Sequence, residues 1–122
     1  MTVLIVDDTL SCGDTLAVAL AGNPDFDVWT VTSAQEALKL AETVPLAAVV
    51  TDLHMPRIDG FELIRRLRSD GRFSNVRIVV ISGDADVDTP ARLKGLGVDA
   101  FFSKPFSPAA VRHTLEHILY AK

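Results

Sequence analysis

Residues 47–60 have the sequence AAVVTDLHMPRIDG, in which an apolar run leads directly to Asp52. The run at residues 47–51 shows no alternation of apolar and polar side chains. Uninterrupted runs of this kind are typical of strands in parallel sheets, because helices cover such sheets on both faces. Pro56 and Gly60 then favour a loop before the next helix. The stretch therefore predicts a buried parallel strand with a carboxylate at its carboxyl end.

The rest of the chain repeats this unit of strand and helix. Strands are predicted from four further short runs, at residues 2–6, 28–31, 77–81 and 100–102. Helices are predicted after each strand, at residues 10–21, 33–44, 61–69, 91–96 and 108–120. Right-handed crossovers then give an α/β fold, a doubly wound parallel sheet of five strands with helices on both faces. No linker or low-complexity stretch divides the chain, so we expect one domain over residues 1–122.

The helix boundaries carry recognisable capping signals. Ser33 begins a capping box, and Pro45 is expected to stop that helix at about Val44. Asp88 with Pro90 and Ser107 with Pro108 each place a cap and an early proline before the fourth and the last helix. Trp29, in the second strand, is expected to be a packing residue.

Composition excludes several classes of protein. The chain has 122 residues, of which 48% are hydrophobic, enough for a core without disulfides. Its one cysteine, Cys12, is expected to have no redox role. The net charge of −4 and the lack of a basic cluster argue against direct nucleic-acid binding. No apolar run reaches the roughly 18–20 residues of a membrane span, and the N-terminus does not resemble a secretory signal. We therefore expect a cytoplasmic protein that does not bind membranes.

Polar side chains follow four of the predicted strands: Asp7 and Asp8 the first, Asp52 the third, Ser82 the fourth and Lys104 the fifth. In open α/β sheets the ligand crevice lies outside the carboxyl ends of the strands. We therefore expect these five side chains to converge on one site.

The chemistry of such a site follows from its charges. Three neighbouring carboxylates repel one another, and a hard divalent cation such as Mg²⁺ relieves that repulsion. A carboxylate can also act as a nucleophile and form an aspartyl phosphate. Lys104 and Ser82 would then stabilise the phosphoryl oxygens.

Four segments together resemble the receiver domain of two-component response regulators, the CheY-like family, over the whole chain. They are VLIVDD at residues 3–8, TDLHMPRIDG at 51–60, VVISG at 79–83 and FFSKPF at 101–106. The resemblance implies a flavodoxin-like (βα)5 fold with strand order 2-1-3-4-5. It also implies a phosphorylation switch rather than an enzyme, with only self-catalysed phosphotransfer and autodephosphorylation.

The resemblance implies a role for each site residue. Asp52 would be the phosphoacceptor, assisted by Lys104 and Ser82. Mg²⁺ would be held by Asp7, Asp8, Asp52 and the backbone carbonyl of His54.

Further residues would control switching. Ser82 and Phe101 would be the switch residues, although Phe101 lacks the hydroxyl group that could bond a partner. The Lys104–Pro105 peptide bond would be cis. The lifetime of the phosphorylated state would be tuned by His54, Gly83 and Asp84.

The implied partners are a histidine kinase or a histidine phosphotransfer protein, and a downstream target on the face of helix 4, strand 5 and helix 5. The protein would be a monomer or a phosphorylation-dependent dimer. Two alternatives remain open: a phosphorylation-independent interaction module, and the receiver part of a larger DNA-binding regulator. An aspartyl-phosphate hydrolase is disfavoured because His54 stands where such enzymes carry a second aspartate.

Overall fold

The computed structural model describes residues 1–55, 57–83 and 88–120, with only the backbone at residues 10 and 11. The strands are β1 Thr2–Val6, β2 Asp27–Val31, β3 Ala48–Thr51, β4 Arg77–Ser82 and β5 Ala100–Ser103. The helices are α1 Leu10–Leu20, α2 Ala34–Ala41, α3 Gly60–Ser69, α4 Thr89–Gly95 and α5 Pro108–Tyr120, with a short 3₁₀ turn at Gly71–Phe73. Strands and helices alternate along the chain, which confirms the predicted α/β class.

All four strand pairings are parallel, and the sheet has the order β2-β1-β3-β4-β5. The predicted strand order is therefore confirmed. The register aligns the carboxyl ends of the strands: Val6 lies opposite Thr51, and Ser82 lies opposite Ser103. Side chains that follow different strands consequently meet at one edge, which we call the carboxyl edge. The other edge, where the strands begin, is the amino edge.

Two apolar layers cover the sheet, one on each face. Along β1, Leu4 and Val6 pack with α2, α3 and α4, whereas Val3 and Ile5 pack with α1 and α5. Each of these four side chains is at most 1% exposed. Burial of an aliphatic side chain stabilises a fold by about 1.5–3 kcal/mol. The central strands are thus fixed from both sides, and the loops at their carboxyl ends are held on a rigid support.

Side-chain caps begin three of the helices. Ser33 accepts a hydrogen bond from the Glu36 amide, and Asp59 accepts one from the Glu62 amide. Ser107 accepts one from the Ala110 amide at 3.2 Å. A cap of this kind is worth about 1 kcal/mol.

Among the described helices, none has the length and apolar character needed to cross a membrane.

Two local predictions were wrong. Helix α2 ends at Ala41, not at Val44, because residues 42–44 form tighter turns onto the Lys39 and Leu40 carbonyls. Pro45 disfavours the α conformation only at Val44, so the turns at residues 42–43 end the helix before the proline has an effect. Trp29 is 43% exposed and does not fill the core, since β2 is an edge strand.

Candidate functional site

Three carboxylates lie together at the carboxyl edge of the sheet. One oxygen atom from each of Asp7, Asp8 and Asp52 lies within 4.8 Å of the other two. Asp7 and Asp52 are buried, each with 6% of its surface exposed, whereas Asp8 is exposed. Two buried carboxylates beside a third repel one another unless a positive charge lies among them.

Backbone groups hold the two buried carboxylates in place. The Thr9 amide donates to Asp7 Oδ1 at 2.8 Å, and the His54 amide donates to Asp52 Oδ1 at 3.2 Å. The Thr51 hydroxyl donates to the Asp52 carbonyl at 2.8 Å. Each carboxylate is therefore oriented by the loop that follows its own strand.

Gly60, the first residue of α3, lies directly against the backbone of Asp52. A Cβ atom at this position would be 2.2 Å from the Asp52 carbonyl oxygen and 2.7 Å from Leu53 Cα. The Gly60 amide donates to the Leu53 carbonyl at 2.9 Å. Only glycine permits this approach, so Gly60 fixes the distance between α3 and the end of β3.

Lys104 brings a positive charge to the carboxylates. Its Nζ atom is 2.8 Å from Asp52 Oδ2 and 3.5 Å from Asp7 Oδ2. Partial burial by itself lowers the pKa of the Lys104 ammonium group. The hydrogen bond to Asp52 and the charges of Asp52 and Asp7 act in the opposite direction, and the net pKa is raised. Lys104 is therefore held in its charged form beside Asp52.

The chain positions Lys104 through the end of β5. The Lys104 amide donates to the Ser82 carbonyl at 3.0 Å, which ties the loop after β5 to β4. The peptide bond between Lys104 and Pro105 is cis. Ser82 is fully buried at the end of β4. The structure thus brings four strand ends to one place.

The remaining predicted residues surround this cluster. Asp52, His54, Gly83 and Lys104 line an open hollow of about 300 Å³. The His54 side chain is exposed. Phe101 is half-buried and packs against the apolar layer on the side of α2, α3 and α4. Asp84, predicted to tune the phosphoryl lifetime, lies outside the described residues.

Cys12 lies nearer to the site than its sequence position suggested. Its thiol, in the first turn of α1, interacts with Asp7. Burial raises the pKa of the Cys12 thiol, and the Asp7 carboxylate raises it further. The residue is therefore held as a neutral thiol at the rim of the site. No motif marks this proximity, because it depends on how α1 returns across the end of β1.

The donor set suits a hard divalent cation. All the ligand atoms offered are oxygens, which Mg²⁺ prefers. An octahedral Mg²⁺ ion with bonds of about 2.1 Å separates ligand atoms by roughly 3.0 Å when they are adjacent and roughly 4.2 Å when they are opposite. The carboxylate oxygens lie within 4.8 Å of one another, so small side-chain movements bring them to these spacings. The residues present therefore fit the ion.

Comparison with known proteins identifies the family. The response regulator receiver domain family matches residues 3–116 of this chain. The chain belongs to this family. As a receiver domain it is part of two-component phosphorylation signalling, and receiver domains typically bind Mg²⁺ at an acidic pocket.

Individual relatives of this receiver domain differ in length. This chain is 31% identical to the chemotaxis protein CheY1 of Helicobacter pylori, and the match covers 98% of this chain and 97% of that protein. It is 31% identical to response regulator Rre1 of Synechocystis and 33% identical to the transcriptional regulatory protein PhoP of Bacillus subtilis. This chain spans 52% of Rre1 and 48% of PhoP, and thus only about half of either protein.

Solved structures of receiver domains share the fold throughout. The signal receiver domain of a DNA-binding response regulator from Colwellia psychrerythraea superimposes with a TM-score of 0.90 at 25% identity, covering 98% of both chains. A response regulator receiver protein from Pseudomonas putida superimposes with a TM-score of 0.85 at 31% identity, covering 94% of each chain.

Proposed function

We propose that this receiver domain accepts a phosphoryl group on Asp52 and thereby changes the surface it offers to a target. The observation that carries the proposal is the contact set of Asp52: Lys104 Nζ lies at 2.8 Å, with Asp7 and Asp8 oxygens within 4.8 Å. A nucleophilic carboxylate, a cationic donor and two further acids are the groups that an aspartyl phosphate requires.

The transfer follows from the roles of these residues. The donor is a phosphohistidine on a histidine kinase or a histidine phosphotransfer protein. An oxygen of Asp52 attacks the phosphorus in line, the phosphorus–nitrogen bond breaks, and the histidine nitrogen keeps the electron pair. Lys104 stabilises the phosphoryl oxygens because its ammonium group is charged and lies beside Asp52. Mg²⁺, when bound, neutralises negative charge on the carboxylates and the phosphoryl oxygens.

Asp7, Asp8, Asp52 and the His54 carbonyl are the ligands we assign to the ion. Asp7 and Asp52 are already held by backbone amides, so these side chains lose little conformational entropy when an ion binds. Asp8 is exposed and can adjust to the ion. The same arrangement serves hydrolysis of the aspartyl phosphate, at a rate tuned by the exposed His54 and by Gly83.

The donor protein is expected to dock beside the site, on α1 and the loop after β5. An open hollow of about 410 Å³ lies there, lined by Cys12, Thr15, Lys104, Pro105, Phe106 and Pro108. A phosphohistidine bound in this hollow would lie next to Lys104, which contacts Asp52. We expect this exchange to take place in the cytoplasm, on one domain spanning residues 1–122.

Phosphorylation would be read on the face of α4, β5 and α5. Ser82 would move to the phosphoryl group, and Phe101 would fill the space behind it. The protein would act as a monomer or as a phosphorylation-dependent dimer. The target is a separate protein or a further region of a longer regulator, since this chain covers only 48% of the transcriptional regulatory protein PhoP.

Incubation with acetyl phosphate and Mg²⁺, followed by peptide mass spectrometry, tests the proposal. We expect one phosphoryl group, mapped to Asp52, and none in the Asp52→Asn variant. The Asp14→Asn variant is the matched control, since Asp14 is an exposed acid of α1. A wild-type protein that remains unmodified would indicate a phosphorylation-independent interaction module, and modification at another residue would contradict the assignment.

A further inference from the structure

Helix α5 carries two histidines on its outer face, far from the acidic site. His113 and His117 are four residues apart, which places them on one side of the helix, one turn from each other. Both are exposed. A pair of histidines with this spacing on a helix can chelate one metal ion, as in the zinc motif with two histidines at i and i+4.

The packing of α5 turns this pair directly towards solvent. Val111 and Leu115 are completely buried against the sheet. His113 and His117 each follow one of them by two positions, which corresponds to a rotation of about 200° around the helix. The imidazoles therefore lie on the side opposite the core, where an ion and its water ligands have room.

Neighbouring side chains leave the imidazoles uncovered. The two charged neighbours both bind to groups near the end of α1. Arg112 donates to the Ala19 carbonyl at 3.3 Å, and Glu116 accepts from Asn23 Nδ2 at 2.8 Å. Neither imidazole makes a hydrogen bond or an ion pair within the described part of the chain. The turn before His113 carries Ala109 and Ala110, which are too small to block access.

We propose that His113 and His117 form a second metal site, for a first-row transition-metal dication such as Zn²⁺, Ni²⁺ or Cu²⁺. Imidazole nitrogen suits these ions, whereas Mg²⁺ prefers oxygen. The two sites of the molecule thus differ in ligand chemistry. The α5 site does not depend on phosphorylation of Asp52, so either proposal can fail without the other.

An ion at this site would act on the surface of α5. Zn²⁺ in proteins usually has four ligands, and two histidines fill only two positions. The others are open to water or to a side chain of another molecule. The site would therefore add a positive charge and a metal-dependent contact to the face that we assign to the target.

Titration of the untagged full chain with Ni²⁺, followed by calorimetry and by amide NMR spectra, tests the proposal. We expect saturable binding that broadens signals around residues 113–117, in wild type and equally in the Asp52→Asn variant. His113→Ala and His117→Ala should each weaken this binding about tenfold or more, because one imidazole loses the chelate advantage.

A relocated pair provides the decisive control. Ala109 is exposed and lies four residues before His113. Introducing Ala109→His together with His117→Ala keeps the histidine count and restores the spacing, so affinity should return to within a few-fold of wild type. The proposal is overturned if His117→Ala binds as well as wild type, if the relocated pair fails to restore binding, or if Ni²⁺ perturbs only the acidic site.

Discussion

The two edges of the sheet treat their charged side chains differently. At the amino edge each described acid has its own donor: Asp25 accepts from the Tyr120 hydroxyl at 2.9 Å, and Asp99 accepts from the Ile78 amide at 2.8 Å. At the carboxyl edge three carboxylates lie together, and the ammonium group of Lys104 contacts two of them, Asp7 and Asp52, among the described residues. The acids at the amino edge thus have hydrogen-bond donors, whereas at the carboxyl edge the negative charges outnumber the positive charge beside them.

This difference separates stability from function. Hydrogen bonds and an ion pair at the amino edge join α5, β4 and the loop before β5 to their neighbours. Crowded carboxylates at the carboxyl edge cost stability unless a cation joins them. The fold can accept that cost because the strands beneath are covered on both faces. Substitutions at the amino edge should therefore change stability alone, whereas substitutions at the carboxyl edge can also change the phosphorylation of Asp52.

The largest effect on stability is expected from Gly60→Ala, at the carboxyl edge. The added Cβ would lie 2.2 Å from the Asp52 carbonyl oxygen, and backbone cannot move aside cheaply. We expect a loss of about 3 kcal/mol or more in unfolding free energy, together with slower phosphorylation of Asp52. Denaturant unfolding measures the first and acetyl phosphate labelling the second.

Gly13→Ala is the control for this substitution. Gly13 lies inside α1, and an added Cβ there would meet no other part of the described chain within 4 Å. Alanine should stabilise this helix by about 1 kcal/mol. If the two variants had equal stability, the close contact between α3 and Asp52 would be refuted.

A smaller loss is expected from Asp99→Ala, at the amino edge. This change leaves the Ile78 amide without its acceptor and Arg77 without its ion pair, which is 3.3 Å long. The loss of charge-assisted hydrogen bonds should cost about 2–3 kcal/mol. Labelling of Asp52 at a temperature where the variant is folded should match wild type. Weaker labelling there would show that the two edges are not separable.

The smallest effect concerns the pH dependence given by Lys104. Its pKa is raised in the folded state, so its contribution to stability is complete below the unfolded value of about 10.4. That contribution is lost as the pH rises through the higher folded pKa. The difference in unfolding free energy between wild type and Lys104→Met should be about 1 kcal/mol at pH 8 and shrink above pH 10.4.

Lys94→Met, on the exposed side of α4, is the matched control. This variant measures the effect of removing a lysine outside the carboxylate cluster, and the pH dependence of Lys104→Met is compared with it. A difference for Lys104→Met that grows with pH would reverse the sign we assign and remove the case for a stabilising pair with Asp52.

The sequence predicted those features that depend on a single strand or its end. Apolar runs located the five strands, and the position of the ligand crevice in open α/β sheets predicted that Asp7, Asp8, Asp52 and Lys104 lie together. Features that depend on the packing of separate elements were missed. The thiol of Cys12 beside Asp7 is one, and the exposure of Trp29 is another.

The contacts of the acids at the amino edge were missed for the same reason. Asp99 binds the Ile78 amide 21 positions earlier in the chain, through the pairing of β4 and β5, and no local pattern marks that contact. The early end of α2 was also missed, since the sequence signal, Pro45, lies four residues beyond Ala41, where the helix stops.

The central claim is that the carboxylates of the carboxyl edge share one divalent ion. Mn²⁺, which like Mg²⁺ favours oxygen ligands, broadens NMR signals close to it and so reports its position. We predict saturable broadening around residues 7–8 and 52–54, reversed by Mg²⁺ and weakened by Asp8→Asn, with signals around Asp25 and Asp99 unchanged. Broadening that is equal at both edges, or that Asp8→Asn leaves intact, would contradict the account.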